Sequence, residues 1–324
     1  MARGRRIAVA IAATALALGT LVAAGCGGDD DSAAGTTSAA GSDLSGDIAI
    51  DGSSTVGPLT SAAAEAFNGE NSGVNITVGT SGTGGGFELF CKGETDISDA
   101  SRAIKPEEAA ACKSGGVTYV ELRVASDGIT MVTGNPSNVG GDDNLTTAQL
   151  KAIWAPDSKI SNWKDIPPAG TFNDVPLTLA GPDSQSGTYD FFNETILGTD
   201  AAGETIEPRQ DYSASADDNV TVRAVQSAEG GLGYFGYTYF EENQDTLTDF
   251  AVDGVKPTAQ TITDGTYPLS RPLFIYVKKT SLAKPEVKAF VEYYLKNAIA
   301  LSKEQQFVPA PQAALDKSLA TINQ

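Results

Sequence analysis

Three segments of the chain have a composition suited to holding an anion: Asp51–Gly57 (DGSSTVG), Gly79–Phe87 (GTSGTGGGF) and Asp183–Tyr189 (DSQSGTY). Each sets a Gly/Ser/Thr turn between a strand-like run and the start of a helix. Such a turn leaves the first backbone N–H groups of the helix without intrahelical acceptors, adds hydroxyl donors, and lies at the positive end of the helix dipole. A small anion suits that arrangement. Taken singly, a Ser or Thr ahead of a helix is ordinary N-cap punctuation. Three together are more telling, because the ligand crevice of an open α/β sheet lies outside the carboxyl ends of its strands, where such turns gather. A fourth segment, Asp96–Arg102 (DISDASR), supplies Ser101 and Arg102. A guanidinium can hold two oxygens of a tetrahedral oxyanion in its planar fork. Alone, Arg102 reads as a surface or ion-pair residue; beside the other three segments it is the expected charge partner.

Other chemistries are poorly supplied. The chain has no histidine, which removes Ser-His-Asp and Cys-His catalysis and the commonest transition-metal ligand. The GTSGTGGGF turn lacks the Lys-Ser/Thr ending of a Walker loop and does not reproduce the dinucleotide fingerprint. No G-x-S-x-G nucleophile elbow is present. No cofactor is expected. The formal net charge of −19 disfavours nucleic acid and anionic lipid surfaces at long range. It does not exclude a buried anion, which responds to local donors because salt screens distant charge.

These turns need elements to position them, and the pattern supplies an α/β order. Ile48 to Ile50 is strand-like, Pro58 to Phe67 is an amphipathic helix with Leu59, Ala62, Ala63, Ala66 and Phe67 on one face, and Val74 to Val78 is a second strand. This β-α-β opening argues for a right-handed crossover in a parallel or mixed sheet. Further on, Val117 to Val124, Ile129 to Val132, Leu177 to Leu179 and Leu273 to Val277 read as strands. Thr147 to Trp154, Thr188 to Ile196 and Lys284 to Leu295 read as helices, the last with Pro285 in its first turn. There is no internal repeat.

The amino terminus is a processing signal. Arg3, Arg5 and Arg6 precede an apolar run from Ile7 to Val22, followed by Ala23, Ala24, Gly25 and Cys26. Residues 1–25 are expected to be a signal peptide. A cysteine after small residues at the end of such a run resembles a bacterial lipobox, which makes Cys26 the expected lipidated first residue, although Ala23 sits where leucine is usual. Residues 26–46, rich in Gly, Ser, Thr, Ala and Asp, form the expected flexible tether. The protein then faces the periplasm or cell exterior and meets the membrane only through its lipid. Cys91 and Cys112 lie in the exported part, where a local disulfide is the natural pairing.

Several of these segments together carry a family resemblance. DGSSTV, SGTGGGF, FCKGETDISDASR, SGTYDFF and the later DYSASADDN with GGLGYFGY, in this order from Asp47 to Gln324, resemble the phosphate-binding subunit of bacterial phosphate ABC transporters. The resemblance implies a type II periplasmic-binding-protein fold, with two α/β lobes joined by a two-strand hinge around a dehydrated phosphate. It implies lobe I at 47–125 plus 271–324 and lobe II at 126–270. Carried over by position, the ligand contacts are Ser54, Thr55 and Val56 in the first turn, Thr83 in the second, and Ser186, Gly187 and Thr188 in the third. Two positions depart from the best-known form. Ser101 stands where an aspartate accepts the phosphate proton, with Asp99, Asp217 and Asp218 as alternative acceptors, and Pro182 stands where an arginine precedes the S-G-T turn, a loss that Arg102 would make good. The implied partners are inorganic phosphate and an ABC permease, and the protein is expected to act as a monomer without catalysis. A binding protein for sulfate or molybdate, or a secreted enzyme, is the competing reading.

Overall fold

The computed structural model describes residues 44–323. The expected signal peptide 1–25, the lipidation residue Cys26 and the tether as far as residue 43 lie outside them. Composition ends the tether at Gly46, but Leu44 already packs on a hydrophobic core and the first strand begins at Gly46.

The first half is built from β1 (Gly46–Gly52), α1 (Gly57–Glu70), β2 (Val74–Val78), α2 (Gly82–Lys92), β3 (Ile97–Ala100) and α3 (Pro106–Ser114). A long strand, β4 (Tyr119–Gly134), leads out of it. The second half contains β5 (Asn144–Leu145), α4 (Thr147–Trp154), β6 (Thr178–Gly181) and α5 (Gly187–Phe192), which runs on as a π-helical turn over Asn193–Leu197. After these come β7 (Ser213–Ala214), α6 (Asp218–Ser227), β8 (Gly231–Gly236), α7 (Tyr237–Asn243), β9 (Leu247–Asp249), β10 (Ala251–Val252) and α8 (Ala259–Asp264). The chain returns through β11 (Ser270–Lys278) to α9 (Pro285–Glu304), β12 (Val308–Pro309) and α10 (Gln312–Ile322).

The local reasons are readable. Leu59, Ala63 and Phe67 recur at helical spacing and are buried on α1, which Pro58 opens, whereas Ala62 of the expected face is half-buried and Ala66 is exposed. The α4 helix starts in a capping box, with Thr146 Oγ1 accepting from Gln149 N and Gln149 Oε1 accepting from Thr146 N. The last long helix carries Val287, Phe290, Val291 and Tyr294 inward as expected, and continues past the expected end at Leu295 to bury Ala298 and Leu301.

Ten strands form one sheet in the order β2-β1-β3-β11-β4-β8-β6-β7, with β9 and β12 also pairing with β4, while β5 and β10 pair with each other in a separate two-stranded sheet. Pairing is parallel among β1, β2 and β3 and among β6, β7 and β8, while β4 is antiparallel to β11 and β8. The two strand-like runs that the pattern separates around Ser126 to Gly128 are a single strand, β4. It pairs with β11 from Tyr119 to Gly128, then with β8 from Ile129 to Val132. The polar stretch Ser126–Asp127 that interrupts the apolar pattern is buried within the strand, so polarity there does not mark its end.

Two hydrophobic cores flank this crossing. One joins Ile48, Phe67, Leu122, Ile275 and Phe290; the other joins Met131, Trp154, Trp163, Phe192 and Tyr234, with Val308 reaching in from the C-terminal segment. Burying each such side chain stabilises the fold by roughly 1.5–3 kcal/mol. A smaller cluster of Phe87, Phe90, Phe274 and Tyr276 surrounds Cys91 and Cys112, whose disulfide ties α2 to α3. Closing a loop of 21 residues limits the unfolded chain by about 3 kcal/mol in the chain-entropy picture.

Candidate functional site

At the carboxyl ends of β1 and β3 the turns enclose a cavity of about 210 Å³. Ser53, Ser54 and Thr55 of the β1–α1 turn form one wall, and Gly82, Thr83 and Gly84 at the start of α2 form the next. Ser101 and Arg102 follow β3, Asp190 and Glu194 face them from α5 and its π-helical turn, and Arg271 closes the back.

The first turn is internally braced. Ser53 N donates to Asp99 O (2.9 Å), and Ser53 Oγ accepts from Thr55 N (3.2 Å) and Val56 N (3.4 Å). Ser54 is exposed at the cavity, whereas Val56 is fully buried in the first core and lies outside the lining. The second turn is anchored by Asp51, whose carboxylate accepts from both the backbone N–H and the hydroxyl of Ser81. Close approach of α2 to β1 requires glycine: a Cβ on Gly86 would lie 2.4 Å from Gly52 Cα. Thr83 and Ser101 come together at the cavity, with their hydroxyls 3.0 Å apart and Ser101 N donating to Thr83 Oγ1 (3.2 Å).

The third turn sits differently. Ser186 caps α5 by accepting from Thr188 N (3.2 Å), and none of Ser186, Gly187 and Thr188 lines the cavity. Gly187 instead abuts the first turn, so tightly that a Cβ there would fall 2.5 Å from Thr55 Oγ1.

Arg271 is the residue that sequence reasoning missed. Its guanidinium donates to Thr55 Oγ1 (2.8 Å), to Gly187 O (3.2 Å) and to the Asp127 carboxylate (3.1 Å), and stacks 3.9 Å over the Phe191 ring. It therefore joins the first turn, the third turn and β4 at one point while only 8% exposed. Burial works against its charge and Asp127 opposes that effect. The available signal was a charged residue opening an otherwise apolar strand.

Arg102 lines the cavity, but as half of an ion pair. Its two terminal nitrogens donate to the Glu108 carboxylate at 2.8 and 2.7 Å, and the Glu108 hydrogen bond strengthens its hold on its proton. The guanidinium stands 5.8 Å from the Phe87 ring centroid.

Of the proton acceptors considered from sequence, only Ser101 is at the cavity. Asp99 is fully buried behind the turn beside the Thr60 hydroxyl, where burial, with Asp51 adding, pushes its carboxyl up to about 8. Asp217 is an exposed N-cap that accepts from Asn219 N (2.9 Å). Asp218 is raised to about 6 by burial, and neither it nor Asp217 lines the cavity. Pro182, at the position of the lost arginine, accepts from Tyr212 Oη through its carbonyl (2.9 Å). The carboxylates that do line the cavity are Asp190 and Glu194, four residues apart along the helix that follows the S-G-T turn. Burial, then Glu194, raises the Asp190 carboxyl, and Arg271 lowers it.

The lining thus contains two arginines, each already facing a carboxylate, and two further acids. Its capacity for an anion comes from oriented N–H groups and hydroxyls, not from a surplus of positive charge. Among the described residues the Ser101 hydroxyl bonds to Thr83 and the Ser53 hydroxyl accepts from backbone N–H groups, neither of them the general base that would activate a serine nucleophile.

Comparison with known proteins places this geometry. The PBP superfamily domain matches residues 34–298. Protein SphX of Synechococcus elongatus is 44% identical over 275 residues, spanning 82% of this chain and 78% of its own. The phosphate-binding protein PstS of Staphylococcus saprophyticus is 38% identical over 300 residues, spanning 90% of this chain and 86% of its own. Among solved structures, one described as a possible phosphate binding protein from Planctomyces limnophilus superposes with a TM-score of 0.79 at 41% identity, covering 87% of this chain and all (100%) of that one. The architecture is the type II periplasmic-binding-protein fold. With a continuous domain match and relatives this similar over most of their length, the chain belongs to the PBP superfamily and, within it, to the SphX and PstS family of substrate-binding proteins, which are not enzymes.

Proposed function

We propose that this protein captures inorganic phosphate outside the membrane and hands it to an ABC permease. The observation that carries the reading is the cavity itself: hydroxyls of Ser54, Thr55, Thr83 and Ser101, the glycine-rich start of α2 and the buried Arg271 converge on a space suited to a small oxyanion. The relatives' names supply the identity of that oxyanion. Arg102 supplies local positive charge from its pair with Glu108, and the S-G-T turn Ser186–Thr188 joins the ligand from the second lobe. Ser54 and the backbone of Val56 complete the first turn's contribution.

In this reading lobe I is 47–125 plus 271–324 and lobe II is 126–270, a division supported by the two separate cores. The ligand bridges the lobes and stabilises their closed arrangement, and the permease recognises that state. Export by the signal peptide, lipidation at Cys26 and the Cys91–Cys112 disulfide belong to the same picture of a monomer held at the cell surface. Among the described residues no helix is long and apolar enough to cross a membrane.

Calorimetric titration of the purified protein, stripped of bound ligand, with phosphate, arsenate and sulfate in turn tests the reading. Tight one-to-one phosphate binding with weak sulfate binding supports it. Equal affinity for sulfate overturns phosphate selectivity, and silence with all three overturns the site. Mass spectrometry of membrane-extracted protein showing an unmodified Cys26 would remove the lipid anchor.

A further inference from the structure

Glu194 is an anomaly in an anion site. It lines the cavity mouth from the π-helical turn Asn193–Leu197, is exposed, and makes neither an ion pair nor a hydrogen bond among the described residues. π-helical turns frequently mark functional positions, because the extra residue redirects the side chains that follow. A free carboxylate at the mouth repels an incoming anion unless a cation meets it. Arg102 lines the same mouth from the turn after β3, on the other core's side of the cavity. Its guanidinium is about one-third exposed (34%). Glu108 takes one hydrogen bond from each terminal nitrogen and the Ala103 carbonyl takes a second from Nη1 (3.2 Å), which leaves one N–H on Nη2 and the Nε–H for a further acceptor. The two groups already feel each other, since the Glu194 charge contributes to keeping Arg102 protonated.

We propose that Glu194 is the closing residue of the site. When the two halves approach over the ligand, its carboxylate meets Arg102 across the mouth, so that Arg102 is shared between Glu108 and Glu194 and release of the ligand requires that contact to break. This rests on the phosphate-binding reading above. It gives the unpaired acid a purpose: repulsive toward a free anion while the mouth is open, neutralised when it shuts.

The two roles available to Glu194 predict opposite signs. If it only repels the ligand, Glu194→Gln binds phosphate more tightly and releases it no faster. If it closes the site, stopped-flow measurement of phosphate release from Glu194→Gln shows a rate roughly 5–30-fold higher, in the range of a partly exposed to partly buried charge pair. Wild-type release then also accelerates with added salt, which screens the contact, while release from the variant responds less. Glu194→Asp, one methylene shorter, falls between them and serves where the glutamine variant is poorly folded. Unchanged or slower release from Glu194→Gln overturns the proposal. A wild-type protein that binds no phosphate overturns the functional reading and the closing residue together, whereas tight wild-type binding with unaltered release from the variant removes only the latter.

Discussion

Arg271 and Asp99 show how differently two buried ionisable groups can serve one site. Arg271 keeps its charge because Asp127, Thr55 Oγ1 and the Gly187 carbonyl receive its N–H groups. Removing it leaves Asp127 uncompensated, so Arg271→Gln should lose about 3–5 kcal/mol of stability in chemical denaturation. It should also weaken phosphate binding by ~1.5–3 kcal/mol if it contacts the ligand. Asp127→Asn is the companion: it loosens the pair yet leaves the cation, so it should keep most of the affinity, and equal losses in both variants would reduce Arg271 to a structural role. Asp99 has no such partner and is held largely neutral, with its carboxyl at about 8. An acid raised on folding contributes full stability below its unfolded value of 3.8 and loses it progressively up to its folded value. Asp99→Asn should therefore be the more stable protein, with a gain that grows from about pH 4 to pH 8 and then levels, on the order of 2–4 kcal/mol at neutral pH. A pH-independent difference in melting would mean that Asp99 is charged throughout. Residue chemistry of this kind was only partly legible. Thr83 and Ser101 stood out because hydroxyls in glycine turns are locally conspicuous. Arg271 did not, because it meets Thr55 across 216 positions and Asp127 across 144, and only the folded sheet brings them together.

Elements were more legible than contacts, because their causes are local. The spans Val74–Val78 and Thr147–Trp154 match the hydrophobic pattern, and the β-α-β opening follows from it. What the pattern could not supply was continuity through Ser126–Asp127, where buried polar residues sit in the middle of β4. Nor could it reveal that the S-G-T turn packs against Thr55 and leaves the cavity wall to the next turn of its helix. The α2 helix depends on a backbone-to-backbone approach at Gly86 and Gly52. Gly86→Ala has nowhere to place its methyl group, with Gly52 Cα at 2.4 Å and Asp51 O at 3.0 Å. The expected cost is about 1–3 kcal/mol, accompanied by weaker phosphate binding as Thr83 is displaced. A variant with unaltered melting temperature would show that α2 can retreat freely from β1.

The whole molecule carries a formal charge of −19, which sets the kinetics of meeting an anion. Most charged ligands are steered toward their sites and bind more slowly as salt rises; here the field is repulsive, so salt should speed association of phosphate. Stopped-flow association rates measured across ionic strength check this, and a rate that falls with salt would show that the local dipoles of the mouth outweigh the global charge. At this scale the sheet also matters as a mechanical object. The chain passes between the two cores along β4 near Ser126–Gly128 and returns along β11 near Arg271–Leu273, and the two passages are hydrogen-bonded to each other. In the proposed closure, relative motion of the cores bends and twists these two strands together with β12, which also pairs with β4 at Ala125 and Ser126 and carries Val308 into the second core. Two dyes placed on opposite rims, far from the cavity, would convert that motion into a change in energy transfer, making the protein a ready scaffold for an optical gauge of its ligand that leaves the recognition residues untouched.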